Sequence, residues 1–205
     1  MNSKHQEALI SIRNLSVILN GNLIINNFSL DLKPKEKFAI IGKTGAGKTT
    51  IFKTILKFYP CKYELFKIFG ENFTEIKQNS IGKLIGFTFQ SPEVQFIKIH
   101  IKDEIKEAVS GDKESEMFLD TFKFNLNLNL NPHKLSQSEK RILTFACLFN
   151  NDKKLFLLDE PTSDLDPKNR EILFKILNEL NKPFIIFSHD IEFIEALKLN
   201  KIIKI

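Results

Sequence analysis

Tryptophan is absent from this 205-residue chain, and cysteine, methionine and tyrosine occur only twice each. The two cysteines, Cys61 and Cys147, stand far apart with no Cys-x-x-Cys spacing. That argues against a disulfide framework or a zinc cluster and fits a reducing compartment. Arginine is scarce as well, with 3 Arg against 27 Lys. Together with 27 Ile, 20 Phe and 18 Asn this is a bias towards AT-rich codons. The net charge of +5 therefore reads first as a solvated lysine surface and only weakly as a footprint for nucleic acid or acidic lipid. No apolar run approaches the ~18 residues needed to span a bilayer. The start, Met1 to Ala8, is polar and lacks a signal-peptide core. The chain is expected neither to be secreted nor to cross a membrane, although it can lie against one. Its 42% hydrophobic and 27% charged residues make a globular composition, long enough for one substantial domain.

What is present is strongly patterned. Ile10 and Ile12 alternate with polar residues, Asn20-Gly21 gives a turn signal, and Phe28, Leu30 and Leu32 alternate again. This predicts an antiparallel layer with a hairpin. Three short apolar runs, Phe38 to Ile41, Leu155 to Leu158 and Phe184 to Phe187, suit strands buried on both faces, as in a parallel sheet. Helical stretches are expected from Lys48 to about Phe58 and from Pro167 to Leu180, the latter capped by Asp166. Segments 101–110 and 113–123 read as charged helices, and Asn125 to Asn131 as a linker or helix end. The expectation is an α/β fold: a core with a parallel sheet, an N-terminal antiparallel β-subdomain, and an inserted α-helical subdomain over about 91–145.

Two stretches carry chemistry. Gly42-Lys43-Thr44-Gly45-Ala46-Gly47-Lys48-Thr49, followed by Thr50, matches the P-loop pattern G-x-x-x-x-G-K-[ST] between a buried strand and a helix. Such a loop turns its N–H groups inward onto phosphate oxygens, and the helix start adds partial positive charge. Lys48 is expected at the β- and γ-phosphates and Thr49 at Mg²⁺. Leu155 to Leu158 then delivers Asp159 and Glu160 to the same sheet edge, the first as a Mg²⁺ ligand, the second to polarise the attacking water.

In this order of landmarks the chain resembles the ATPase subunits of ATP-binding-cassette (ABC) transporters. Phe89-Gln90 resembles the family's Q-loop, and Leu135-Ser136-Gln137-Ser138-Glu139 its LSGGQ signature. Residues 155–160 resemble the Walker B strand, Ser163-Asp164-Leu165-Asp166 the D-loop, and Ser188-His189-Asp190 the switch histidine. The resemblance implies a single ABC-type ATPase domain over 1–205, binding ATP and Mg²⁺. Two such subunits, identical or different, would pack head to tail, each ATP lying between one P-loop and the other signature. It further implies His189 at the γ-phosphate, Gln90 as a Mg²⁺ ligand that senses a membrane partner, and Ser136 and Ser138 facing the partner subunit's ATP. No role with nucleic acid is implied. More narrowly, Phe89 to Phe96 followed by Ile101-Lys102-Asp103-Glu104-Ile105 resembles the energy-coupling-factor importers of vitamins and metal ions. That places the chain peripherally on the cytoplasmic face of the membrane with an integral coupling protein; the alternating residues 91–105 read either as its docking groove, with Phe96 and Ile97 on the exposed side, or as the subdomain's own core.

The sequence departs from the family at three places. Both glycines of the signature are replaced, by Gln137 and Ser138, and Ser136-x-x-Glu139 also reads as a capping box. The aromatic that usually stacks on the base is replaced by Leu19. The chain stops at Ile205, where longer members continue into a C-terminal extension. Two other readings stay open: a soluble ABC-type ATPase without a membrane partner, and a nucleotide-binding partner of low intrinsic activity.

Overall fold

The computed structural model describes residues 7–108, 127–149 and 153–205. Strands β1 (Ile10–Leu19) and β2 (Asn22–Leu32) form the expected hairpin. Asn20 and Gly21 turn it with φ of 51° and 79°, the left-handed pair that matches the twist of the flanking strands. The other edge of β1 pairs with β4 (Leu65–Ile68), which carries the two-residue β5 (Glu71–Asn72), in the order β2-β1-β4-β5.

A second sheet is entirely parallel. Its order is β6 (Ile85–Thr88), β7 (Leu155–Asp159), β8 (Phe184–Ser188), β3 (Lys37–Ile41), β9 (Lys201–Lys204). Its three central strands are the apolar runs read from the sequence, and the reason for the runs is visible in how they split. Phe38, Ile40, Leu155, Leu157, Ile185 and Phe187 face one core, shared with the antiparallel sheet and α1 (Lys48–Ile55). Ala39, Ile41, Phe156, Leu158, Phe184 and Ile186 face the other. That second core is covered by α4 (Gln137–Phe149), α5 (Pro167–Glu179) and α6 (Ile191–Ala196). With both faces covered there is no polar alternation to keep.

Helix α1 is shorter than expected because Lys57 adopts a φ of 63°, which stops a right-handed helix. Helix α2 (Gln78–Leu84) leads directly into β6. Among the described residues between β6 and β7 there is no strand. There are two 3₁₀ turns, Pro92–Gln95 and Pro132–Lys134, and α3 (Ile101–Ala108) besides α4. Residues 127–130 form a turn, as the linker reading expected, whereas the expected helix over 113–123 lies outside the described residues.

One expectation is corrected here. Phe96 is not on the exposed side: it is 8% exposed and packs with Ile101, Ile105, Leu135 and Leu143 in a small third core. Its neighbour Ile97, at 73% exposure, and Val94 and Ile99 do face solvent. The alternating stretch thus divides between a core and a surface, and sequence spacing across a 3₁₀ turn does not reveal which residue falls on which side.

Candidate functional site

Parallel pairing brings the functional residues to one edge. Ile41 pairs with Ser188, Phe187 with Asp159, and Leu158 with Thr88. Gly42, His189, Glu160 and Gln90 each follow within two residues, so four strand ends deliver them side by side, where open α/β sheets bind ligands.

The loop from Gly42 to Gly47 closes with Ala46 N–H donating to Lys43 O at 3.1 Å. Gly47 caps α1 at a φ of 99°, and a Cβ there would lie 2.4 Å from Ile25 Cδ1 of the hairpin, so only glycine fits. Lys43, Thr44 and Gly45 are exposed. Thr50 continues the helix, its carbonyl accepting from Thr54 Oγ1 at 2.7 Å. Lys48 is buried, and its Nζ donates to Gly42 O at 2.8 Å and Lys43 O at 3.2 Å and lies 3.4 Å from Glu160 Oε1. The ammonium therefore sits inside the loop's own curl, between the phosphate cradle and the carboxylate.

Thr49 Oγ1 donates to Asp159 at 3.1 Å to Oδ2. Burial pushes the Asp159 carboxyl up to about 6, with the Thr49 hydrogen bond opposing this and the nearby Glu160 adding to it. Glu160 has a φ of 47°, a strained backbone for a non-glycine residue, held by its N–H donating to Phe187 O at 2.8 Å. Its Oε2 accepts two hydrogen bonds, from Ser188 Oγ at 3.0 Å and His189 N–H at 3.2 Å, and lies 2.9 Å from His189 Nδ1. The histidine side chain is otherwise open to solvent at 58% exposure. Lys48, Thr49, Asp159, Glu160 and His189 thus form one connected group.

Gln90 is exposed at the edge beside β7, and its backbone is what the structure anchors. Arg141 of α4 is fully buried and donates from Nη1 to Phe89 O at 2.8 Å and from Nη2 to Gln90 O, while Nη2 lies 3.8 Å from Asp164 Oδ2. Burial lowers the Arg141 guanidinium pKa, and the carboxylates of Asp164, Asp159 and Glu160 oppose that. Sequence reasoning missed Arg141, yet a lone arginine kept in a lysine-rich chain was a signal. The planar guanidinium places a separate nitrogen at each of the two carbonyls.

Ser136, Ser138 and Leu19 are not joined to this group within the chain. Ser136 completes the capping box: its N–H donates to Glu139 Oε2 at 2.9 Å, Glu139 N–H donates back to Ser136 Oγ at 3.3 Å, and the Ser136 hydroxyl also donates to Glu139 Oε2 at 2.6 Å. Ser138 Oγ donates to Asp166 Oδ2 at 2.8 Å and accepts from Asn169 Nδ2 at 3.0 Å. Both hydroxyls thus have hydrogen-bond partners inside the chain. Leu19 is partly buried against the hairpin core.

The donors present suit a hard cation. The Thr49 hydroxyl, Asp159 carboxylate and Gln90 amide carry oxygen donors, and Mg²⁺ is characteristically held by one or two carboxylates together with substrate phosphates. Among the described residues no cluster of three or more His, Cys, Asp or Glu forms a separate metal cage.

A phosphate-cradling loop at a helix start, beside an acidic pair at the end of an adjacent parallel strand, defines a P-loop nucleotide-binding protein. Comparison with known proteins narrows this. Residues 25–163 match the ABC transporter family, and the chain belongs to it as an ATP-binding subunit. The energy-coupling factor transporter ATP-binding protein EcfA of Malacoplasma penetrans is 28% identical over 98% of this chain and 74% of its own length. EcfA1 of Mycoplasmopsis synoviae is 31% identical over 83% of this chain and 69% of its own. The solved structure of cbiO1 of Clostridium perfringens, described as part of the ABC transporter complex cbiONQ, superimposes with a TM-score of 0.75 at 22% identity. It covers 92% of this chain and 81% of that one. The α/β fold with a parallel and an antiparallel sheet is the one the chain shares with that structure.

Proposed function

We propose that this chain binds and hydrolyses ATP with Mg²⁺ and powers a membrane importer, of energy-coupling-factor type for a vitamin or metal ion. The observation that carries the hydrolytic half is the connected group of Lys48, Thr49, Asp159, Glu160 and His189 at one sheet edge. Lys48 moves from the loop carbonyls to the β- and γ-phosphates, and the N–H groups from Lys43 to Thr50 cradle the same oxygens. Thr49, Asp159 and Gln90 hold Mg²⁺, which when bound neutralises phosphate charge. Glu160 accepts the proton of the attacking water, and His189 turns from its contact with Glu160 to the γ-phosphate. The domain is single over 1–205, with about 91–145 as the inserted helical part.

The importer half is supported by the relatives named as energy-coupling-factor ATP-binding proteins and by the exposed Val94, Ile97 and Ile99 beyond Gln90. Among the described residues no helix is long and apolar enough to cross a membrane, so force passes through a surface contact with an integral coupling protein. The working unit pairs this chain with a second ATPase subunit, on the cytoplasmic face. The engaged hydroxyls of Ser136 and Ser138 favour a different partner that carries an intact signature.

A pull-down with tagged chain from detergent-solubilised membranes, combined with phosphate release from Mg²⁺-ATP, tests both halves. Capture of a multi-span protein together with hydrolysis supports the importer. Hydrolysis with only soluble proteins captured overturns the importer role and leaves a soluble ATPase.

A further inference from the structure

Asp190 follows the switch histidine, and no step above uses it. Its carboxylate is saturated. Arg170 of α5 grips it with both guanidinium nitrogens, Nη2 at 2.9 Å from Oδ1 and Nη1 at 2.6 Å from Oδ2. Thr162 Oγ1 donates to Oδ2 at 2.8 Å, and Phe193 N–H to Oδ1 at 3.1 Å. The Arg170 guanidinium also lies over the Phe193 ring, 5.2 Å from its centroid. On the backbone side, Asp190 N–H donates to Ser188 Oγ at 3.1 Å, and Ser188 Oγ donates on to Glu160 Oε2 at 3.0 Å.

Asp190 therefore holds the turn Glu160-Pro161-Thr162 at both ends. Its N–H reaches Glu160 through Ser188, and its carboxylate reaches Thr162 directly. That turn is the one in which Glu160 is strained at a φ of 47°. Strained residues persist only where the surroundings over-determine them. A bidentate arginine supplies a rigid anchor that a lysine would not. We propose that Asp190, anchored by Arg170, is a positioning residue for ATP hydrolysis, fixing Glu160 and the adjacent His189 relative to each other through Thr162. The proposal rests on the ATPase reading above. It adds that the relative placement of base and switch is set from behind, by a residue whose carboxylate is held by Arg170, Thr162 and Phe193.

The test uses the full chain and three variants, Asp190→Asn, Thr162→Val and their combination. Asp190→Asn keeps the shape but turns one acceptor atom into a donor facing the arginine. The P-loop is untouched, so KM for ATP should stay within about twofold while kcat falls about tenfold. Thr162→Val should lower kcat about threefold. The double variant should lose no more than Asp190→Asn alone, because both break one linkage. Amide exchange at residues 160–164 should quicken in Asp190→Asn while Ile185 to Phe187 keep their protection. Parental kcat in Asp190→Asn overturns the proposal, as does a rise in KM that matches the fall in kcat. Should Asp190→Asn not fold, parental kcat in Thr162→Val overturns it. Should the parental chain release no phosphate, the ATPase reading fails first. Unchanged exchange at 160–164 then overturns the positioning role separately.

Discussion

Glu93 Oε1 accepts from Gln137 Nε2 at 2.7 Å, and Lys140 Nζ reaches the same oxygen at 2.6 Å, tying the segment after β6 to the first turn of α4. A glycine at position 137 could not make that tie. Together with Ser138 bonded to Asp166 and Asn169, it means that the two residues replacing the signature glycines are used as internal struts.

This gives the first prediction. In a homodimer each ATP would face a signature whose Gln137 and Ser138 side chains are already bonded within their own chain. Gln137→Gly with Ser138→Gly should raise phosphate release by the chain alone several-fold, because bare N–H groups then approach the phosphate. Measured side by side, equal rates for parent and double variant would remove the case for an asymmetric pair.

Asp159 makes the second. Its carboxyl is raised from its ordinary 3.8 to about 6, chiefly by burial. A raised acid binds its proton more tightly folded than unfolded, so its contribution to stability is full below about pH 3.8 and is lost as pH climbs through about 6. Mg²⁺ needs the ionised form and must displace that proton. Mg²⁺-dependent ATP retention should therefore weaken as pH falls below about 6, and Asp159→Asn should raise the melting temperature of the nucleotide-free chain at pH 8 while abolishing the Mg²⁺ effect. A flat retention profile from pH 5 to 8 would contradict the assignment.

Base recognition is the third. Leu19 packs against the hairpin core and offers no π-face. Stacking is worth roughly 1–3 kcal/mol per base, so GTP should compete appreciably with ATP. Leu19→Tyr should tighten ATP binding by about 1 kcal/mol. A strong parental preference for ATP over GTP in a displacement titration would count against this.

The divided stretch beyond Gln90 gives a fourth. Phe96→Ala opens a cavity in the small core with Leu135 and Leu143 and should destabilise the chain by roughly 3 kcal/mol. Ile97→Ser with Ile99→Ser touches only exposed side chains and should leave stability within about 0.5 kcal/mol. The same pair should reduce capture of the membrane partner. Normal capture would move the docking site elsewhere.

Much of this was legible in the residues themselves. The three apolar runs, the P-loop and the capping box at Ser136 each follow from local rules, and each stands where spacing puts it. What spacing did not reveal were partners distant in sequence. Glu93 and Gln137 are brought together only by the packing of the helical region, and Phe96 and Ile97 part company only once the 3₁₀ turn is formed. The arginines were the unused signal. In a chain with 3 of them, Arg13 forks onto Asp31, Arg141 onto the Phe89 and Gln90 carbonyls, and Arg170 onto Asp190. Each presents two nitrogens of one planar fork to its partner.

The most direct measurement of the central claim follows Glu160→Gln, with bound nucleotide and released phosphate read in the same sample. Glutamine keeps the shape beside Lys48 and His189 and removes the base. The variant should retain Mg²⁺-ATP at least as well as the parent while releasing phosphate at roughly a hundredth of its rate or less. Phosphate release at the parental rate would show that Glu160 is not the base and that this sheet edge does not work as described.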